Sequence, residues 1–135
     1  MSLRIFNTLT RSLQEFVPDD PKKVGLYCCG PTVYDFAHIG NFRTFVFADL
    51  VRRFLEFEGF GVRHVMNVTD VEDKIIKRVG ETKTTLSEYT GKYEAAFFED
   101  FQALGCLRPH ETPHATQHIG DIIALVAKLV ERGIA

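Results

Sequence analysis

The sequence predicts an α/β fold: a parallel sheet with a helical crossover, followed by further helices. Three observations carry that expectation. Val24 to Cys29 is a short apolar run set off by Pro21-Lys22-Lys23, which reads as a buried strand. From Gly40 to Phe57 the residues Phe42, Val46, Leu50, Phe54 and Phe57 recur at steps of four and three, predicting an amphipathic helix with that stripe inward, ended before Gly59 and Gly61. Gly61 to Val68 reads as a second strand, and strand, helix, strand in that order is the right-handed parallel crossover of a doubly wound sheet.

The other elements follow in order. Leu3 to Thr8 is a first extended segment, and Pro18-Asp19-Asp20-Pro21 is a turn, since its prolines and aspartates suit no sheet interior. Asp70 is expected to cap a helix running through Val79, with Glu72 and Asp73 against the positive end of its dipole. Thr85-Leu86-Ser87-Glu88 is a capping box. It opens a helix whose buried stripe is Leu86, Tyr93, Phe97, Phe101 and Leu104, stopped by Gly105. Thr112-Pro113 is expected to open the last helix, with Ile119, Ile122, Val126, Leu129 and Val130 toward the core. The chain thus divides into a sheet-forming part, residues 1–80, and a helical part, residues 81–135. Whether those helices pack on the sheet or begin an inserted subdomain stays open.

Composition places the chain among soluble, intracellular globular domains. It has 135 residues, 45% hydrophobic and 25% charged, enough for about one domain. No uncharged apolar run approaches the roughly 18 residues of a membrane span. Arg4 and Asn7 interrupt any signal-peptide core. Three cysteines, two of them adjacent, argue against a disulfide framework and for a reducing, cytoplasmic setting. A net charge of −2 without a basic run gives no obvious nucleic-acid grip. The Asn67-Val68-Thr69 sequon is then incidental.

The chemistry should sit in Tyr27-Cys28-Cys29-Gly30-Pro31-Thr32-Val33-Tyr34-Asp35-Phe36-Ala37-His38-Ile39-Gly40-Asn41, the loop from the first parallel strand into the helix. Strand-to-helix loops at a sheet's carboxyl edge bind nucleotides, because backbone N–H groups and the helix dipole favour phosphate there. Residues 27–41 resemble the first signature of cysteinyl-tRNA synthetases, whose His-Ile-Gly-His element often appears as His-Ile-Gly-Asn. Two further blocks agree. Leu3 to Arg11 is similar to the amino-terminal hairpin of that family, and Asn67-Val68-Thr69-Asp70-Val71-Glu72-Asp73-Lys74-Ile75-Ile76 to its second-strand block. The resemblance implies the amino-terminal part of a Rossmann-like class I synthetase catalytic domain. The family's Lys-Met-Ser-Lys-Ser signature is absent, so the chain is expected to be an incomplete fragment, inactive alone.

The resemblance further implies a cysteine–tRNA ligase that activates L-cysteine with ATP and Mg²⁺ and passes it to tRNA(Cys). His38 and Asn41 would be catalytic; Thr32, His38, Gly40 and Asn41 would hold ATP; Gly30 and Thr69 would contact substrate. Standing alone, His-x-Gly-Asn reads as a plain capping turn with a buried His38, and the flanking match tips it toward phosphate. Cys29 occupies the place of the family's zinc-ligating cysteine, and the other ligands would lie beyond residue 135. A zinc ion would select a thiol over a hydroxyl substrate. Cys28 reads as a small strand hydrophobe and Cys106 as core or surface. His110, His114 and His118 form a rival metal constellation that Pro113 spoils. Asp70, Glu72 and Asp73 with Lys74 could suggest a magnesium site, but capping and a local ion pair explain them as well. Two other functions stay open: a cysteine ligase acting on an amino sugar in mycothiol synthesis, and a non-catalytic nucleotide-binding module.

Overall fold

A computed structural model describes residues 3–135. Strands β1 (Arg4–Asn7) and β2 (Ser12–Glu15) form the antiparallel amino-terminal hairpin. β3 (Val24–Cys28) and β4 (Val62–Met66) pair in parallel, Val24 opposite Val62 and Cys28 opposite Met66, joined by α1 (Ile39–Phe57). The predicted crossover is therefore present. β3 is not the fully buried strand expected: Val24 is buried but Tyr27 is 62% exposed. Among the described residues β3 pairs with β4 alone, so its side chains alternate in burial.

α1 buries a different stripe from the predicted one. Phe42, Phe45, Ala48, Asp49, Arg52 and Leu55 face inward, while Val46, Leu50, Phe54 and Phe57 stay exposed. The charged side chains explain the rotation. Asp49 accepts the Leu107 N–H at 2.8 Å, Arg52 donates to the Arg108 carbonyl at 2.9 Å, and Arg53 to the Gly105 carbonyl at 2.6 Å. These bonds latch α1 to the segment leaving the third helix, and a buried carboxylate or guanidinium is tolerated because it is so bonded. Periodicity of apolar residues cannot register such a latch.

α2 (Asp73–Thr82) and α3 (Leu86–Ala103) follow. The α3 capping box forms as expected, with Thr85 Oγ1 accepting the Glu88 N–H and Glu88 accepting the Thr85 N–H. Phe97 and Phe101 join Phe42, Phe45, Met66 and Cys106 in the main core, so α3 packs against α1 and the sheet. Phe97 stacks on Phe42 at 5.3 Å and meets Phe45 edge-on at 4.9 Å. Leu104 of the predicted stripe is exposed.

Two corrections concern the remainder. Asp70 does not cap α2; the N-cap is Glu72, without a side-chain bond. Asp70 is buried and instead accepts the N–H and hydroxyl of Thr116. Nor does Thr112-Pro113 start a helix. Residues 111–114 run beside β4 as a further parallel lane, with Met66 donating to the Glu111 carbonyl at 3.0 Å and Val68 to the Pro113 carbonyl at 2.8 Å. Proline disfavours helix at residue 112 and still offers its carbonyl to a neighbour. Residues 81–135 are thus helical with one return to the sheet. A 3-10 turn at Ala115–His118 leads into α4 (Ile119–Glu131), none of whose side chains is buried. Among the described residues no helix is long and apolar enough to cross a membrane.

Candidate functional site

The carboxyl ends of β3 and β4 are drawn together before the loop begins. Asn67 Oδ1 accepts both the Gly30 N–H at 3.1 Å and the Tyr27 hydroxyl at 2.9 Å, while its amide donates to Thr69 Oγ1 at 3.1 Å. A Cβ on Gly30 would overlap the Asn67 carbonyl oxygen and sit 2.9 Å from Met66 Cγ. Only glycine allows the two backbones this close. Beyond it the parallel pairing resumes, with Val33 donating to the Thr69 carbonyl and Thr69 to the Pro31 carbonyl. Thr69 is thereby fixed beside Thr32.

The loop then closes over a cavity of about 250 Å³. Gly30, Thr32, His38 and Asn41 line it, together with the rings of Tyr34, Phe36, Tyr93 and Phe97. Four of the seven residues singled out from sequence therefore share one space. Cys29, Gly40 and Thr69 are not among its walls.

His38 is the N-cap of α1 and is exposed, not buried. Its Nδ1 accepts the Gly40 N–H at 3.1 Å, and Asn41 Oδ1 accepts the His38 N–H at 3.0 Å. This reciprocal box identifies Nδ1 as the unprotonated nitrogen, leaving Nε2–H and the Asn41 amide as outward donors. A Cβ on Gly40 would lie 2.9 Å from His38 Cε1. The glycine thus makes room for the imidazole itself. The N–H groups of Gly40, Asn41 and Phe42 are all bonded to His38, so the polar groups this turn offers are chiefly side chains rather than helix backbone.

Cys29 is exposed at the end of β3. Burial, then the neighbouring Cys29, pushes the Cys28 thiol up, which suits an inert side chain. No group of three or more His, Cys, Asp and Glu residues able to hold a metal occurs among the described residues. Cys29 offers one donor where a catalytic zinc needs about three. These residues do not by themselves fit a zinc ion. The three late histidines have separate partners: His110 accepts the His64 N–H, His114 lies 2.9 Å from Glu94 and His118 3.0 Å from Asp121. The acidic cluster is dispersed likewise, Asp70 to Thr116 and Lys74 to the Tyr34 ring, 5.1 Å from its centroid.

Sequence reasoning missed three residues that shape the site. Asn67 was legible as a sequon and as the start of the second-strand block but not as a contact, though a polar residue between two strand-end positions can bond across. Arg78, on α2, donates to Asp35 at 2.9 Å, and Tyr89, on α3, donates to the Tyr34 carbonyl at 2.8 Å. The Phe36 N–H, followed by Arg78, holds the Asp35 carboxyl below its ordinary range. No local pattern announces either contact, because each spans more than 40 residues.

The chain resembles known proteins along almost all of its length. Residues 15–135 match the family described as tRNA synthetases class I (C) catalytic domain. A cysteine–tRNA ligase of Photorhabdus laumondii is 51% identical over 133 residues, covering 98% of this chain and 29% of that protein. Those of Solibacter usitatus and Koribacter versatilis are 49% and 45% identical, covering 96% and 100% of this chain but 28% and 27% of their own lengths. The chain therefore spans less than a third of these curated relatives.

Proposed function

We propose, from the premise that this chain belongs to the class I (C) tRNA synthetase catalytic-domain family, that it supplies the nucleotide-handling end of a cysteine–tRNA ligase. The observation that carries the reading is the meeting of Gly30, Thr32, His38 and Asn41 around one cavity at the strand-to-helix turn. In such a ligase the carboxylate of L-cysteine attacks the α-phosphate of Mg²⁺-bound ATP and pyrophosphate leaves; the aminoacyl group of the adenylate then passes to a ribose hydroxyl of tRNA(Cys) and AMP leaves. Negative charge gathers on phosphate oxygens in the transition state. His38 Nε2–H and the Asn41 amide would donate to it, and Thr32 would add a hydroxyl. Gly30 and Thr69 form the strand-end surface on which the amino acid rests. Cys29 would contribute one ligand to a zinc ion completed by residues of the wider protein, where zinc would favour a thiolate over a serine hydroxyl. The setting is the cytoplasm.

Cysteine-dependent exchange of pyrophosphate into ATP, measured on the protein carrying this chain together with the rest of the relatives' length, tests the reading. His38→Ala should lower that exchange by about 10²-fold or more, as loss of a transition-state donor does. Full exchange by the variant, or none by the parent, overturns it. Tight one-to-one zinc binding by residues 1–135 alone would overturn the shared zinc site.

A further inference from the structure

We infer that Arg78 and Tyr89 are positioning residues for the cavity, holding its Tyr34–Phe36 wall from α2 and α3; the inference rests on the reading of that cavity as the nucleotide and amino-acid site. Neither residue lines the cavity, so neither would touch a ligand there. Both act through residues that do. The Tyr34 carbonyl accepts the Tyr89 hydroxyl at 2.8 Å and faces Arg78 Nη1 at 3.5 Å. The same Arg78 nitrogen donates to Asp35 Oδ2 at 2.9 Å, and its guanidinium carbon lies 5.5 Å from the Tyr34 ring centroid. Phe36 is gripped from the same side, its ring edge-on to Tyr93 at 5.1 Å, and Tyr93 packs 5.0 Å from Tyr89.

The arrangement matters because the loop has no regular structure of its own; its other ties are the Val33 N–H to the Thr69 carbonyl and the ammonium groups of Lys74 and Lys92 over the Tyr34 and Phe36 rings. Between Thr32 and the His38 cap the described residues form no strand and no helix. Tyr89 is buried, so its hydroxyl needs a partner, and the Tyr34 carbonyl is that partner. Arg78 is a planar donor that binds a carboxylate, a carbonyl and a ring face together, which a lysine could only partly reproduce. A wall fixed beforehand spares a ligand the entropy of ordering it.

Hydrogen exchange and kinetics together test the clamp. Arg78→Ala should speed amide exchange of residues 33–37 by about fivefold, and Tyr89→Phe by about threefold, the scale of one or two modest hydrogen bonds. The thermal midpoint of Arg78→Ala should stay near that of the parent, since the Arg78 side chain is 42% exposed. In pyrophosphate exchange by the longer protein, KM for ATP should rise about threefold to tenfold with kcat within about twofold, and Arg78→Lys should recover part of the loss. Unchanged exchange at 33–37 in both variants overturns the clamp, as does a loosened loop with an unaltered KM. A parent protein without any pyrophosphate exchange overturns the functional reading instead, and amide exchange then decides alone whether the clamp exists.

Discussion

α3 and α4 are both built of apolar residues at helical spacing, yet they end in opposite environments. Phe97 and Phe101 of α3 are each 2% exposed, whereas Ile122, Leu125, Val126 and Val130 of α4 all face solvent. α3 lies against the Phe42 and Phe45 rings of α1 and Met66 of β4; among the described residues α4 makes its main contacts with the short turn before it. An apolar stripe therefore declares that a helix can be buried, and a partner surface decides whether it is. The same holds within α1, whose outward face, Val46, Phe47, Leu50 and Phe57, is as apolar as its inward one.

The largest effect that would break this contrast is truncation of its centre. Phe97→Ala should cost about 3–5 kcal/mol in denaturant unfolding, the range for deleting a well-packed buried ring. Asp70→Ala should come next. It strips Thr116 of the acceptor that ties the approach to α4 down, costing about 1–3 kcal/mol and speeding amide exchange through residues 115–119. A smaller, graded effect should appear with pH. His64 is 1% exposed, with neither ring nitrogen bonded, and faces Arg52, His110, Asp49 and Glu56. Burial first, then Arg52 and His110, holds its pKa below the ordinary 6.5. The unfolded chain thus binds this proton more readily, so stability should be fully present above about pH 6.5 and decline as the pH falls through that value. His64→Phe should flatten that part of the titration. Least of all, Leu125→Ala in α4 should shift stability by under about 0.5 kcal/mol. Equal costs at positions 97 and 125 would erase the distinction between the two helices.

Much of the sheet and its turn was legible beforehand, because the relevant signals are local. The Thr85 capping box depends on residues a few positions apart, and the crossover on strand and helix runs each legible locally, whereas the hairpin was implied by the family resemblance. The choice of Gly30, Thr32, His38 and Asn41 came from the family resemblance, and their grouping follows because one strand-to-helix loop carries all four. What escaped were contacts at a distance. The inward face of α1 was misassigned because Asp49, Arg52 and Arg53 bond to residues 105–108, and the parallel lane at 111–114 was invisible because its partner is β4. Asp70, placed where a cap belongs, is recruited instead by a threonine 46 residues away.

That late lane has a bearing on how the chain is born. β4 receives its second neighbour from residues 46 positions downstream, so at about 5–20 residues per second of synthesis its edge leaves the ribosome about 2–9 s before the covering segment does. For that interval the nascent sheet presents unpaired N–H and C=O groups, the feature on which chaperones and stray strands compete.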